Sequence, residues 1–433
     1  MFVTGRLALA LALGVVPVVL LSAAGLPAWT VAGAWAALCV AAAAVDAACA
    51  ADPRTVDVER RVPGRVLRDQ DVPTTVLLTN RGRRRLRGRV RDAWQPTAGA
   101  PEGRSVIDIP AGERRAVDIT LHPRRRGELR TGFVVVRADG PLRFAGRQGR
   151  VEAPGALRVL PPFTARRHLP SRLARLRELD GNTSVQMRGQ GTEFDSLREY
   201  VRGDDVRSID WRATARATTT MLRTWRPERD RHVVIVIDTG RTSAARVGDG
   251  VRLDAAMEAA LLLGALAVRA GDHVHLVMFD RVLRARVTRV DGTGLLPALV
   301  DAMAPVEAQL IDTDWDAAAA QVHRLTTRPA LVVLLTAQDA VDSARGFLAA
   351  LPALTARSRV VVGSVSADEP LTDRARDAAG VYALAAAERS ARDAREVASA
   401  IGRAGADAVV ADAESLPPRV ADRYLALKAA GRL

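Results

Sequence analysis

The sequence predicts a mixed α/β protein in three structural parts. These are an N-terminal helical hairpin that crosses a membrane, a small antiparallel β-sandwich, and a doubly wound α/β domain. Three observations carry the prediction. Residues 7–45 hold no formal charge. Residues 55 to about 160 alternate apolar and polar positions between closely spaced turns. From His232 onward, short apolar runs alternate with helical patterns. The expected segments are 1–51 for the hairpin, 52–160 for the sandwich, 161–231 for a polar connecting segment and 232–433 for the α/β domain.

The 39 uncharged residues between Arg6 and Asp46 would make one helix about 58 Å long, roughly twice the hydrocarbon thickness of a bilayer. They must therefore break. Ser22-Ala23-Ala24-Gly25-Leu26-Pro27 supplies the break, giving spans over Leu7–Leu21 and Ala28–Ala44. A cleaved signal peptide has a similar beginning, but here a second apolar run follows at once. Arg54, Arg60, Arg61, Arg65 and Arg68 follow the second span while the turn between spans has no charge, so both ends are expected in the cytoplasm.

The net charge of +14 is uneven: residues 51–150 hold 23 arginines against 12 acids, whereas residues 232–433 hold 23 basic and 25 acidic residues. The excess lies near the membrane and suits an anionic leaflet. Arg83-Arg84-Arg85 and Arg124-Arg125-Arg126 sit in turn-like contexts without interleaved aromatics. With aromatic content at 4%, this argues against nucleic-acid binding. The only cysteines, Cys39 and Cys49, both fall in the apolar stretch, which excludes a disulfide scaffold and a thiolate zinc site.

In the sandwich, strands are expected at Val72–Leu78, Ser105–Ile109, Ala116–Leu121 and Gly132–Val136, with turns at Asn80-Arg81-Gly82, Pro110-Ala111-Gly112 and Asp139-Gly140-Pro141. Pro161-Pro162 closes that domain. The segment that follows is rich in charge: Gly189, Gly191, Glu193, Phe194, Arg198, Glu199, Tyr200, Gly203, Asp204, Asp205, Arg207, Asp210, Trp211 and Arg216 fall within one run. Arginines alternating with acids beside Phe194, Tyr200 and Trp211 suggest ion pairs clamped over aromatic faces. Arg207 and Asp210 are expected to share an ion-paired cap joining the sandwich to the α/β domain. A docking surface is the functional reading of the same run.

This string, Gly-Gln-Gly-Thr-Glu-Phe through Arg-Ser-Ile-Asp-Trp, resembles the signature of the bacterial family called domain of unknown function 58. Its members are membrane-attached proteins with a von Willebrand factor A-like domain. Two N-terminal spans, a β-rich insert and a closing Tyr424-Leu425-Ala426-Leu427-Lys428 extend the likeness over nearly the whole chain, while Asp139-Gly140-Pro141-Leu142-Arg143-Phe144 departs from the family's usual turn.

In the last part, strands are expected at Val233–Ile237, Val274–Phe279, Leu283–Val290, Leu331–Leu335 and Val360–Val365, with helices over Leu253–Ala270, Trp315–Leu325 and Val341–Leu354. Leu253, Met257, Leu261 and Ala265 recur at i+4, which makes Met257 a core residue rather than a ligand. Ligands of such sheets sit at the carboxyl ends of strands, here after Ile237, near Asp312 and after Leu335.

The resemblance implies that these loops descend from a Mg²⁺ site. Asp238-Thr239-Gly240-Arg241-Thr242 keeps a carboxylate and one hydroxyl but has Gly240 where a second hydroxyl is expected. Thr313 is retained, and Ala337 stands where a second carboxylate belongs. The expectation is a degenerate site of Asp238, Thr242 and Thr313 with weak or absent Mg²⁺ binding and no other cofactor; Asp339 would substitute only after a loop shift. The six histidines form no metal-spaced motif, and His273 and His275 read as solvated strand-entry residues. No nucleophile elbow and no Walker loop occurs.

The function expected is that of a non-enzymatic, membrane-anchored cytoplasmic adaptor without nucleic-acid or small-molecule substrate. The resemblance implies a MoxR-type AAA+ ATPase as its partner in assembling or maturing protein complexes. The alternatives are a hydrolase using Glu193, Asp204, Asp205 and Asp210, and an envelope scaffold.

Overall fold

In a computed structural model describing residues 1–186, 193–201, 204–226, 231–248, 250–366 and 378–433, the chain divides into one unit of Met1–Leu160 and another of Pro161–Leu433. The first begins with β1 (Phe2–Val3), α1 (Gly5–Leu13), α2 (Val15–Ala23) and α3 (Ala28–Cys49). α1 and α2 are one apolar rod interrupted at Gly14. Pro17 has no N–H to return to Leu13, and the Gly14 N–H turns to the carbonyl of Leu11. The rod covers 19 residues, Gly5–Ala23, or about 28 Å, close to the thickness of a bilayer core. Gly25, at φ 95°, takes the left-handed conformation that reverses the chain.

The strands that follow are β2 (Val56–Arg61), β3 (Arg65–Leu67), β4 (Val72–Asn80), β5 (Leu86–Asp92), β6 (Ser105–Ile109), β7 (Arg114–Leu121), β8 (Gly127–Asp139) and β9 (Ala145–Leu160). They form two sheets, β1-β9-β8-β5-β6 and β2-β4-β7. Strict alternation, as in β5 where every second residue is buried, turns Val76, Leu78, Leu86, Ile109, Leu121 and Leu157 into a shared core. The expected antiparallel arrangement holds except at β3, which runs parallel to the end of β9. β1 and β3 cover opposite ends of the same edge of this long strand, shielding an edge otherwise open to pairing.

The two helix ends are tied to this sandwich by its β8–β9 turn. Asp46, 1% exposed in the last turn of α3, accepts the N–H groups of Leu142, Phe144 and Ala145 at 2.7, 2.8 and 3.0 Å. Gly140 is needed there, because a Cβ would lie 2.3 Å from the Asp46 carboxyl. Thr4 donates its N–H to Phe144 and its hydroxyl to Arg143. Phe144 and Leu7 then pack against Ala43, Ala47 and Ala145. Arg84 and Arg147 cap the final carbonyls of α3, at Ala48 and Ala47. Both ends of the helical hairpin thus meet the same turn.

The second unit contains α4 (Leu169–Gln186), β10 (Glu193–Glu199), α5 (Trp211–Thr214), β11 (Met221–Arg226), β12 (His232–Asp238), a two-rung ladder of β13 (Arg246–Val247) and β14 (Gly250–Val251), α6 (Arg252–Arg269), β15 (His273–Phe279), β16 (Leu283–Val287), α7 (Leu295–Met303), α8 (Trp315–Leu325), β17 (Leu331–Leu335), α9 (Arg345–Thr355), β18 (Arg359–Val365), α10 (Ala378–Arg403), β19 (Asp407–Ala411) and α11 (Leu416–Ala429). β10 and β11 form a separate hairpin.

The main sheet runs β16-β15-β12-β17-β18-β19. All its pairs are parallel except β15–β16, where a tight turn after Phe279 allows only an antiparallel return. Alternation along β12 splits the core between the sheet's faces. Val233, Ile235 and Ile237 pack with α6, α7 and α11, while Val234 and Val236 pack with α8, α9 and α10. Met257 is fully buried in α6, as its spacing required.

Candidate functional site

The carboxyl ends of β12 and β17 bring the loop residues singled out in the sequence to one carboxylate. Asp238, 2% exposed, accepts on Oδ1 from the Gly240 N–H at 2.8 Å and the Thr313 hydroxyl at 2.5 Å. On Oδ2 it accepts from the Thr242 hydroxyl at 3.2 Å and the Thr336 hydroxyl at 2.6 Å. Asp238, Thr242 and Thr313 therefore do meet, with Thr336 as a fourth member. Four donors converge on one carboxylate, so its lone pairs are already engaged.

These residues do not fit a Mg²⁺ ion, which demands about six oxygens in near-octahedral array. The hydroxyls point their protons at Asp238. Ala337 is buried and apolar. A Cβ on Gly240 would lie 2.3 Å from Thr313 Oγ1, so the missing hydroxyl has no room. Asp339 does not replace the lost carboxylate, because Arg252 holds it at 2.6 Å. Beside this knot, fully buried Asp280 accepts from Thr239, Arg284 and the Arg281 and Val282 N–H groups. Burial raises its pKa, but the Arg284 and backbone hydrogen bonds together outweigh that and hold it below the ordinary carboxylate value. At the rim, Arg241 pairs with Asp312 and Leu310 is 83% exposed.

The charged signature falls on β10, on the connection 200–220 and on β11. Arg198 pairs with Asp204 at 2.6 Å, and Asp204 also accepts the Val201 N–H. Asp205 caps the Arg207 N–H. Asp210 caps α5 through the N–H groups of Arg212 and Ala213 and pairs with Arg223. The Ala213 N–H, then Arg223, hold its carboxyl below the ordinary value. The expected sharing of charge between Arg207 and Asp210 does not occur: Asp210 already has three donors, and Arg207 and Arg216 are exposed without a carboxylate partner among the described residues. Nor is Trp211 clamped under a guanidinium, being 69% exposed. Tyr200 is half-buried and donates its backbone N–H to Thr220. Gly189, Gly191 and Gly203 lie outside the described residues, as do the side chains of Glu193 and Phe194.

Three clusters escaped sequence reasoning. Arg60 and Asp92, both nearly inaccessible, form a forked pair inside the sandwich, with Trp94 donating to the same carboxylate. Tyr424 and Lys428 meet buried Asp272 at 2.5 and 3.4 Å, pinning α11 to the end of α6. His275 is not solvated: His232 and His273 share a rung of the sheet, and the His232 ring stacks against both His273 and His275. Only the histidine pattern had a readable signal, since parallel strands in register place His232 beside His273.

The fold and these sites describe a mixed α/β protein with two apolar N-terminal helices. Residues 196–395 match the family described as "Protein of unknown function DUF58", a stretch that takes in the signature connection and the Asp238 knot. No curated protein matches the chain. Among solved structures it has a likeness to the CARDB domain of the PF1109 protein of Pyrococcus furiosus. For the solution NMR structure, identity is 16% over 24% of this chain and 94% of that one, with a TM-score of 0.19. For the crystal structure with di-metal ions, identity is 17% over 24% and 91%, with a TM-score of 0.18. Scores that low support no inference for this chain.

Proposed function

We propose that the protein is a membrane-anchored docking protein, non-enzymatic and without a cofactor, with both termini and its soluble units in the cytoplasm. In this reading its C-terminal α/β unit is a doubly wound, von Willebrand factor A-like domain. It presents the loops above the sheet to a MoxR-type AAA+ ATPase during assembly or maturation of protein complexes.

The observation that carries the reading is the Asp238 carboxylate, saturated by three threonine hydroxyls and one N–H. Such a knot fixes three loops in place without leaving a reactive group, which suits recognition rather than chemistry. Its rim offers what an interface needs, an exposed Leu310 beside the Arg241–Asp312 pair. The hydrolase alternative is disfavoured because Asp204 is engaged by Arg198 and the Val201 N–H, while the Ala213 N–H and Arg223 hold the Asp210 carboxyl below its ordinary pKa, an arrangement that suits neither to act as a proton donor. The test is a photo-crosslinker at Leu310 in native membranes. Crosslinking to the ATPase, lost with Leu310 moved to a remote surface, supports the reading; crosslinking to no ATPase sinks it.

A further inference from the structure

The β8–β9 turn occupies an unusual place. It is gripped from one side by Asp46 at the end of α3 and from the other by Thr4 at the start of α1. Phe144 and Leu7 pack against Ala43 and Ala47 of α3. If the helices span a bilayer, this turn lies at its boundary, because α1 begins one residue after Thr4 and α3 ends three residues after Asp46.

The outward side of the turn is unspent. Pro141 and Arg143 are exposed, Leu142 is 54% exposed, and Arg6 is exposed in the first turn of α1. Arg6 is the only charged residue before Asp46. Asp46 forms a salt bridge with neither arginine among the described residues; its oxygens accept the N–H groups of Leu142, Phe144 and Ala145. Half-buried Asp139 is the other acid of this turn. Among the described residues no carboxylate pairs with Arg6 or Arg143. Arg143 holds φ at 60°, a conformation a non-glycine residue seldom keeps. Its main-chain carbonyl is fixed by the Thr4 hydroxyl.

We propose that Arg6 and Arg143 form a binding site for the headgroup of an anionic phospholipid, with Leu142 reaching into the adjoining acyl region. Two guanidiniums at headgroup depth match a phosphodiester's oxygens, and the exposed apolar side chain of Leu142 beside Arg143 in the turn matches the first methylenes. The occupant is a lipid rather than a soluble anion, because the arginines lie at the ends of helices of bilayer length and the exposed residue next to Arg143 in the turn, Leu142, is apolar. The site rests on the membrane-spanning reading of α1–α3.

The test uses the full chain purified in detergent, with lipid retention read by native mass spectrometry. Phosphatidylglycerol should be retained over phosphatidylcholine. The double variant Arg6→Gln/Arg143→Asn should weaken that retention by roughly thirtyfold, each basic residue being worth a factor of several at a membrane surface. Asn at position 143 tolerates the left-handed turn, and Arg104→Gln on the exposed surface should change nothing. Equal retention of the two lipids by the unaltered chain, or retention unaffected by the double variant, overturns the proposal. Protection by inorganic phosphate alone would overturn it too, marking an oxyanion site without a lipid component. Extraction of the chain from membranes without detergent would instead overturn the spanning reading beneath it.

Discussion

Asp46 and Phe144, 98 residues apart, meet at 2.8 Å where the second apolar helix ends. The carboxylate also takes the Leu142 and Ala145 N–H groups, so it joins helix to sandwich without any opposite charge. Asp46→Ala would strand three donors in a buried setting, and at about 1–3 kcal/mol for each unsatisfied group the loss should reach roughly 3 kcal/mol or more. Denaturant unfolding of the full chain in detergent should show that loss, with new proteolytic cleavage at residues 140–144. Asp46→Asn, which keeps one acceptor, should lose less.

Trp35 provides the corresponding contact inside the hairpin. Its indole N–H donates to the carbonyl of Ala10 at 3.0 Å, which the Gly14 N–H has abandoned for Leu11 and Ala12. A carbonyl without a partner is costly in hydrocarbon. Trp35→Phe should therefore lower stability by about 0.5–2 kcal/mol in detergent or bilayer. Gly14→Val should be worse, since its Cβ would sit 2.3 Å from the indole.

The helices were legible because 39 uncharged residues permit little else, and the sandwich because alternation in β4, β6, β7 and β8 is regular, although β5 (Leu86–Asp92), with arginines on its exposed face and Gly88 among its buried positions, was missed. β9 was not legible. It carries Arg147, Arg150, Arg158 and Pro154 along one strand, a composition that reads as loop until β8 and β1 supply its partners. The antiparallel β16 looked like another parallel strand because apolar runs carry no direction. Asp238, Thr242 and Thr313 were found through the family resemblance mapped onto the loops, yet the role of Arg252 in holding Asp339 was invisible, since 87 residues separate the pair. Arg207 was assigned a partner by proximity in sequence, where the fold gave Asp210 to Arg223 instead.

Lys428, the only lysine, is 9% exposed beside Asp272 and Tyr424. Lys428→Met would leave Asp272 buried with the tyrosine hydroxyl as its remaining side-chain donor in the cluster. Breaking a buried pair from one side should cost roughly 3–5 kcal/mol. Asp272→Asn in the same chain should recover part of that loss, and a strictly additive pair of variants would show that the two groups do not interact.

Burial, then the neighbouring His232 and His273, push the His275 imidazole below its ordinary pKa, while Asp291 opposes them. Above pH of about 6.5 folded and unfolded chains both hold this ring neutral. As pH falls below that value the unfolded chain takes up a proton the folded one resists, so stability declines toward acid. Melting temperatures of the full chain between pH 7 and pH 5 should fall less steeply in His275→Leu than in the unaltered protein. Identical slopes would show that His275 does not titrate differently on folding.

The Asp238 knot makes the sharpest demand, because its oxygens suffice for hydrogen bonding but not for a metal. Adding Mg²⁺ or removing divalent ions with a chelator should leave the melting temperature of the full chain unchanged. Asp238→Ala should destabilise by roughly 3 kcal/mol, since the Thr242, Thr313 and Thr336 hydroxyls and the Gly240 N–H would all lose their shared acceptor. Gly240→Ser restores a hydroxyl where a metal site would need one, yet its Cβ meets Thr313 Oγ1 and the Ile311 carbonyl at 2.3 and 2.9 Å. That variant should be less stable than the unaltered chain and still indifferent to Mg²⁺. A magnesium-dependent rise in melting temperature, present in the unaltered protein and absent in Asp238→Ala, would mean that the hydroxyls turn outward to an ion and that the knot is a closed state of a metal site.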